Sequence, residues 1–258
     1  MKKIIALLMA VCLMALCFVG CNSQKVLVAE KGSAGETVAK TLEDYEYTAV
    51  DTQAKALMEV SAGTADAAIV DYVMSIGSIG EGTDYENLVV DGDGYNPENY
   101  GIAFRKGSDF TAKVNEAIKA LKDEGKLAEI GKKYKLEELV TATESFEEFK
   151  KAETDSDYDY IMNKGELVIG ITYFAPMNYE DANGELIGFE TEFAKAVCEK
   201  LNLTPKFVEI NWNAKETELA AKNIDCIWNG MTIDDDRKAN MSITIPYMEN
   251  KQVMVVKK

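Results

Sequence analysis

The segment DCIWNGMTIDDDR, from Asp225 to Arg237, has residue types and spacing that could bind a carboxylate. An apolar, strand-like run leads to Gly230, and the missing side chain there would let a ligand approach the backbone. Thr232 supplies a hydroxyl and an N–H, and Arg237 follows five residues later, where a short helix would begin. A guanidinium can hold a carboxylate through two parallel hydrogen bonds. The alternative is a turn followed by a surface charge, which a lone Thr and Arg would also fit.

The same segment resembles a stretch of the amino-acid-binding solute receptors of ABC transporters, known as family 3. Residues 165–258, which begin GELVIGI, resemble the first lobe of that family. Residues 25–135 resemble its second lobe and C-terminal helices. Because the halves stand in reverse order, we interpret the chain as a circular permutant. The resemblance implies a two-lobed α/β fold of the periplasmic-binding-protein type II class, with a central ligand cleft and no cofactor.

Two sets of alternating strand and helix patterns, over residues 25–92 and 165–250, would build such lobes. This alternation predicts α/β layers with mainly parallel sheets. We divide the chain after its first 24 residues into an N-terminal lobe (25–100), a hinge strand with helices that pack on the other lobe (101–136), an acidic connector (137–163) and a C-terminal lobe (164–258).

The acidic connector has nine acidic residues, two lysines and no glycine or proline. We predict a solvated helix over Glu144–Lys151 and a mobile remainder. The final run, Gln252–Lys258, matches the strand that leaves the family's first lobe for the second. Since the chain ends there, we expect one covalent crossing between the lobes and a soft hinge. We expect a monomer, although the connector is long enough for the halves to pair between two chains.

An amino acid carries a carboxylate and an ammonium on one carbon, so its receptor must bury donors and acceptors together. The resemblance implies that Arg237 and the N–H of Thr232 hold the carboxylate. It also implies that the carbonyl of Gly230, or of Asn229, accepts from the ammonium.

Two aromatic residues match positions that line the family's pocket. These are Trp212, in the sequence NWN, and Phe174, in the sequence YFAPM. The alternative for each is ordinary core packing. Their location after predicted strands favours the ligand site, because ligands of open α/β sheets bind at the carboxyl ends of the strands.

The N-terminal lobe offers the sequence EKGSAGE, which follows a strand, opens a helix and resembles a family loop. Its free N–H groups would attract an anion. Ser33 matches the family, whereas Ala34 replaces the usual threonine, which removes one hydroxyl but keeps the N–H. The alternative is a helix cap without a ligand.

Two carboxylates complete the predicted site. Asp71 ends the strand AAIVD and matches an acid that pairs with the ligand ammonium; the alternative is a helix N-cap. Glu30 stands where the family often has glutamine near the distal end of the ligand. A carboxylate there indicates a cationic side chain, unless Glu30 faces solvent or pairs with Lys31.

The first 20 residues predict a lipoprotein signal peptide, because Lys2 and Lys3 precede a sixteen-residue apolar run that is short for a membrane span. Cys21 would then carry the lipid, with residues 21–24 as a tether that holds the protein outside the cytoplasm on the membrane. Removing the signal would change the net charge from −16 to −18, since it removes Lys2 and Lys3 and no acid. Such a charge argues against nucleic acid as a partner.

Composition limits the chemistry further. The sequence contains no histidine, which excludes a His-based catalytic triad and argues against a zinc site. Cys198 and Cys226 lie in apolar runs, so buried free thiols are favoured over a disulfide.

We therefore predict a receptor that binds a free amino acid, with the cationic or polar nature of its side chain left open, and delivers it to an ABC permease. One alternative is a sensing lipoprotein that reports to a membrane partner. Another is a dehydratase or lytic transglycosylase on the same fold, for which Glu30 is the obvious acid or base.

Overall fold

The computed structural model describes residues 24–141 and 145–258. The predicted signal peptide and the lipidation site Cys21 lie outside the described residues. Within the described part of the chain, no helix combines the length and apolar character needed to cross a membrane.

Strands and helices alternate through both lobes. The main strands are β1 (Lys25–Glu30), β2 (Tyr45–Val50), β3 (Ala67–Asp71), β4 (Leu88–Arg105), β5 (Glu166–Ile171), β6 (Tyr179–Glu180), β7 (Leu186–Ile187), β8 (Thr204–Glu209), β9 (Cys226–Thr232), β10 (Met241–Ile243) and β11 (Met248–Lys257). The α-helices are α1 (Ala34–Ala39), α2 (Gln53–Ala62), α3 (Tyr72–Ser78), α4 (Phe110–Asp123), α5 (Lys126–Lys133), α6 (Asp157–Lys164), α7 (Phe189–Leu201), α8 (Lys215–Ala220) and α9 (Asp235–Asn240).

One sheet runs through both lobes in the described residues, in the order β2-β1-β3-β11-β4-β9-β5-β8, with β10 paired to β4. The outer strands β2, β1 and β3 pair in parallel, as do β9, β5 and β8. The two central strands, β11 and β4, pair antiparallel with each other and with both neighbours. The expected α/β fold with two lobes and a cleft between them is confirmed.

Two strands, β4 and the final strand β11, cross between the lobes, whereas the sequence predicted one covalent crossing. β4 runs for 18 residues from the N-terminal lobe into the C-terminal lobe. β11 begins opposite Tyr100 and ends inside the sheet of the N-terminal lobe, where Gln252 to Val256 pair with β3. Strand pairing with β3 and β4 holds β11 in the N-terminal lobe, and the soft hinge stays a prediction.

The connector differs from its prediction. Within the described residues 145–151 there is no helix, and Glu144 lies outside them; α6 lies later in the connector. Asp109 accepts bonds from the backbone N–H of Ala152 and Tyr158 at 2.9 Å. The ring of Phe149 lies 4.7 Å from that of Tyr158. These contacts attach the connector to the start of α4.

The C-terminal lobe has an aromatic core. Phe193 of α7 lies edge-on to Trp228 at 5.1 Å and to Tyr247 at 5.4 Å. Helices α4 and α5, which precede the connector, pack on α7. Cys198 and Cys226 are buried as free thiols. The core thereby fixes β5, β8 and β9, whose carboxyl ends face the cleft.

Candidate functional site

A small cavity of about 10 Å³ lies between the two lobes. Ligand pockets usually span about 300–1,000 Å³, so the lobes are closed here to room for about one water and must separate to admit a larger ligand. Nine of the ten predicted ligand residues line it, together with Gln53; Phe174 is the exception. The predicted residues on its wall are Glu30, Ser33, Ala34, Asp71, Trp212, Asn229, Gly230, Thr232 and Arg237.

Strand polarity explains why these residues meet. Glu30 and Asp71 end the parallel strands β1 and β3, and Thr232 ends β9. Trp212 follows the end of β8 by three residues. Because parallel strands present their carboxyl ends on one edge of a sheet, the two lobes bring two such edges together.

Arg237 lies in α9 and is buried. Its Nη1 donates to the carbonyl of Thr232 at 2.9 Å, and its Nε lies 3.3 Å from Oδ2 of Asp234. Its Nη2 lies 3.4 Å from the carbonyl of Gly32 in the opposite lobe. A guanidinium has five donor hydrogens, so donors remain for a ligand carboxylate at the cavity wall.

Gly230 has a backbone that other residues adopt with difficulty, at φ +56°. Its N–H donates to Oε1 of Glu190 at 2.8 Å, and Tyr247 donates its hydroxyl to the same oxygen. A Cβ on Gly230 would lie 3.1 Å from Cζ of Phe174 and 3.2 Å from Cζ of Tyr100. Phe174 therefore supports the cavity floor from behind Gly230.

Gly230→Ala is expected to lower the free energy of unfolding by about 2–4 kcal/mol, since it adds left-handed strain to overpacking against two rings. Chemical denaturation of the ligand-free protein measures this. Gly184→Ala is the matched control, because Gly184 also has positive φ (+80°) but a Cβ there would meet open space. Equal losses in the two variants would show that the rings behind Gly230 move aside.

Asp71 has three side-chain amides around its carboxylate. Gln53 donates to Oδ2, and the backbone N–H of Asp71 donates back to Oε1 of Gln53 at 2.8 Å. Asn250 and Gln252 donate to Oδ1 at 2.9 and 2.5 Å. Asp71 stands at the N-cap of α3, yet within the described residues its side chain caps no helix N–H. Its carboxylate is thus held toward the cavity rather than used as a cap.

Glu30 is buried, and among the described residues its Oε1 has no hydrogen-bond partner. Burial, together with the charge of Asp71, raises the pKa of Glu30 to about 8 against the opposing charge of Lys215. A buried, unpartnered carboxylate oxygen on a cavity wall is costly unless a ligand donor or a proton meets it.

Lys215 closes the cleft from the C-terminal lobe. Its Nζ donates to the carbonyl of Gly32 at 3.0 Å and lies 4.9 Å from the ring centre of Trp212. Burial, together with the charge of Arg237, lowers the pKa of Lys215 to about 8. Two cations of one lobe therefore face the same carbonyl of the other.

The loop before α1 is built as a helix cap. The Ser33 hydroxyl donates to the carbonyl of Glu30 at 2.7 Å and accepts from the N–H of Glu36 at 3.1 Å. Glu36 in turn accepts from the N–H of Gly32 at 2.7 Å. The Ser33 hydroxyl therefore acts as a helix cap, as in the alternative interpretation. Both Ser33 and Ala34 of this loop line the cavity.

The remaining predicted residues have a structural partner in addition to the cavity. Trp212 is buried in the core of the C-terminal lobe. The amide of Asn229 donates to the carbonyl of Thr172 and to Oδ1 of Asn178, each at 2.8 Å. This network ties the end of β9 to the loop after β5, so the side chain of Asn229 is committed within its own lobe.

Sequence reasoning missed five polar residues at or behind the cavity: Gln53, Glu190, Lys215, Asn250 and Gln252. Lys215 follows Trp212 by three residues, and Gln53 begins α2 after β2, so both stand after strand ends that already indicated a ligand edge. The two amides of β11 carry no such signal, because their role depends on which strands β11 pairs with.

The C-terminal lobe matches a known protein family. Residues 167–258 match the family of bacterial extracellular solute-binding proteins, family 3. The L-cystine-binding protein TcyJ of Escherichia coli strain K12 is 26% identical over 134 residues, which is 52% of this chain and 50% of that protein. The histidine-binding periplasmic protein of Salmonella typhimurium strain LT2 is 33% identical over 85 residues, or 33% of each chain.

Among solved structures, the arginine-bound form of domain 1 from TmArgBP shares 30% identity over 39% of this chain and 86% of that domain, with a TM-score of 0.34. The chain spans about half or less of the length of the two relatives above. The C-terminal lobe, over residues 167–258, is thus similar to the bacterial extracellular solute-binding proteins, family 3.

Proposed function

We propose that this protein is an extracytoplasmic receptor that binds a free amino acid between its lobes and delivers it to an ABC importer. The relatives are named for the binding of amino acids such as cystine and histidine. Arg237 and the N–H of Thr232 hold the ligand carboxylate in this proposal. Asp71, with the carbonyl of Gly230, receives the ammonium.

The observation that carries the proposal is the separation of charge across one closed cavity. The guanidinium of Arg237 lies on the wall from the C-terminal lobe, and the carboxylates of Asp71 and Glu30 lie on the wall from the N-terminal lobe. A zwitterion placed between them would satisfy both walls and add contacts that neither lobe offers alone. Ligand binding then favours the closed form, because the open form lacks half of these contacts.

The unpartnered oxygen of Glu30 favours a ligand with a cationic side chain. Glutamine, the family's frequent residue there, would offer both a donor and an acceptor, whereas an ionised carboxylate offers only acceptors. A bound cation lowers the pKa of Glu30 from its raised value near 8 and takes the place of the proton.

The membrane attachment and the partner belong to the same proposal. A lipid on Cys21 would hold the receptor on the outer face of the membrane, next to an ABC permease, and the receptor would act as a monomer without enzymatic turnover. A circular permutation of the two lobes would leave the cavity intact, since the cavity depends on strand ends and not on the order of the lobes.

Isothermal titration calorimetry of the purified protein against each of the twenty L-amino acids tests the proposal. We expect saturable binding of at least one, with L-arginine or L-lysine bound most tightly. Binding of none of the twenty would refute an amino-acid receptor. Conversion of a bound amino acid, followed by mass spectrometry, would replace the receptor with an enzyme.

Glu30→Gln is expected to weaken L-arginine binding about tenfold or more and L-glutamine binding less than about threefold, since a hydrogen bond to a charged group contributes about 1.5–3 kcal/mol. The comparison of both ligands by calorimetry measures the selectivity. Glu46→Gln, an exposed change on β2, is the control for net charge. Equal effects on both amino acids would place Glu30 outside the part of the site that contacts the side chain.

A further inference from the structure

A second carboxylate lies directly behind Asp71. Glu98 is half-buried in the middle of β4, at the point where this strand crosses between the lobes. Its Oε1 accepts from Nδ2 of Asn250 at 2.6 Å and from Nε2 of Gln252 at 2.8 Å. The same two nitrogens donate to Oδ1 of Asp71. One oxygen of each acid is therefore bridged twice, by two amide groups of β11.

We propose that Glu98 is a positioning residue of the ligand site, which acts on Asp71 through the shared amides of Asn250 and Gln252, so that capture of a ligand ammonium expels a proton from the acid pair. The inference deepens the proposed function and rests on it, since it takes the ammonium to be bound at Asp71. We call these four residues the crossing cluster.

The geometry makes it unfavourable for Asp71 and Glu98 to be ionised at the same time. Each amide nitrogen has two hydrogens, and both are used when it donates to the two acids. The Asp71 carboxylate also accepts from Gln53 and has the Tyr100 hydroxyl beside it, so two negative charges would face each other across neutral groups. Two neighbouring buried carboxylates avoid ionising together, and one retains a proton.

The electrostatics point the same way. Burial and then the charge of Asp71 raise the pKa of Glu98 to about 7. Burial also raises the pKa of Asp71, while its amide donors oppose the rise. A proton on the acid pair is therefore favoured as the pH falls through about 7. A positive ligand group beside Asp71 favours ionisation of both and releases that proton.

Other ionisable groups face the pair and set its background. From β1, α7, the crossing strands and the opposite wall of the cleft, they are Glu30, Glu190, Tyr100, Tyr247, Lys215 and Arg237, and Asp234 borders the same groove as Glu98. Glu30 titrates close to the same range, so the test must compare variants and not a single titration.

The position of the crossing cluster in the backbone also supports a link to the hinge. β11 shifts register against β4 between Asn250 and Gln252, and again between Gln252 and Met254. Register shifts mark points where a strand bends. The amides that bridge the acids therefore stand at the irregular part of one crossing strand, and Glu98 faces them from the other.

Calorimetry with L-arginine, or with whichever amino acid binds in the panel, tests the inference in phosphate and in Tris buffer at pH 7.5, and the affinity is also measured in MES buffer at pH 5.5. The different ionisation enthalpies of phosphate and Tris report proton release. Because binding releases a proton, affinity must weaken as pH falls, by about tenfold from pH 7.5 to 5.5 in the unaltered protein. Glu98→Gln keeps the acceptor oxygen. In this variant we expect at most half the proton release of the unaltered protein, and a change in affinity of less than about threefold between pH 7.5 and 5.5.

Glu249→Gln is the matched control, because Glu249 is exposed on β11 next to the crossing cluster and the change in net charge is the same. It should behave like the unaltered protein. Proton release in Glu98→Gln equal to that of the unaltered protein overturns the inference. Absence of any binding by the unaltered protein refutes the proposed function instead. Should Glu98→Gln fail a thermal-unfolding check, Glu98→Ala receives the same comparison, with the same outcomes for and against.

Discussion

Arg237→Ala is expected to weaken amino-acid binding by at least about 100-fold, because it removes two or more charge-assisted hydrogen bonds of about 1.5–3 kcal/mol each. The guanidinium is buried at the cavity wall and already fixed by the carbonyl of Thr232 and by Asp234. A fixed fork loses little conformational entropy when it binds a carboxylate, so most of its interaction energy appears as affinity. Calorimetry with the best ligand of the panel measures the loss.

Two further variants distinguish the effect of the paired guanidinium donors from that of the positive charge. Arg237→Lys keeps one positive charge but lacks the paired donors, so its affinity should lie between those of the unaltered protein and Arg237→Ala. Lys238→Ala removes an exposed cation from the next position and should leave affinity within about twofold. An Arg237→Ala variant that folds and binds with undiminished affinity would exclude the guanidinium from the ligand site.

Local spacing was sufficient to predict the walls of the cavity. The distance from Gly230 to Arg237 places a strand end and the first turn of a helix on one edge, and the structure has β9 and α9 there. The positions of Asp71 and Glu30 could be predicted equally well, since each is the last residue of an apolar run. A strand end fixes the position of a residue with little help from the remainder of the fold.

Contacts that depend on strand pairing could not be predicted in the same way. Asn250 and Gln252 reach Asp71 only because β11 lies between β3 and β4, about 180 residues from Asp71 along the chain. The contact of Lys215 with Gly32 depends on how far the lobes close. No local sequence pattern predicts either contact, because both arise from the tertiary arrangement.

The connector shows the limit of composition as a guide. Its acidic residues predicted a solvated helix and a mobile segment, yet its aromatic residues decide its structure. Phe149 packs on Tyr158, and Phe146 packs against the main core. Asp157 then forms an ion pair with Arg105 at the end of β4, at 2.9 Å. The packed rings and the Arg105–Asp157 ion pair determine the path of the connector despite its acidic composition, because each buried side chain contributes its own stabilisation.

Asp71→Ala is expected to weaken amino-acid binding by at least about 100-fold, because the ligand ammonium would be buried without its counter-charge, a loss of about 3–5 kcal/mol. Two opposite effects act on the ligand-free protein. Removal of a buried carboxylate relieves its desolvation, while three amides lose their common acceptor at about 1–3 kcal/mol each. We expect the second effect to dominate, and the free energy of unfolding to fall.

The two measurements together distinguish a ligand residue from a structural one. Asp44→Asn, an exposed change in the same lobe, controls for net charge and should alter neither. If Asp71→Ala lowers stability but binds amino acids as tightly as before, the carboxylate serves only to join the crossing strands. The crossing cluster would then be a structural part of the hinge, and the ammonium must be bound by Glu30 or by the Gly230 carbonyl. Loss of affinity in a variant that remains folded at the titration temperature leaves Asp71 as the acceptor through which the lobes close on the ligand.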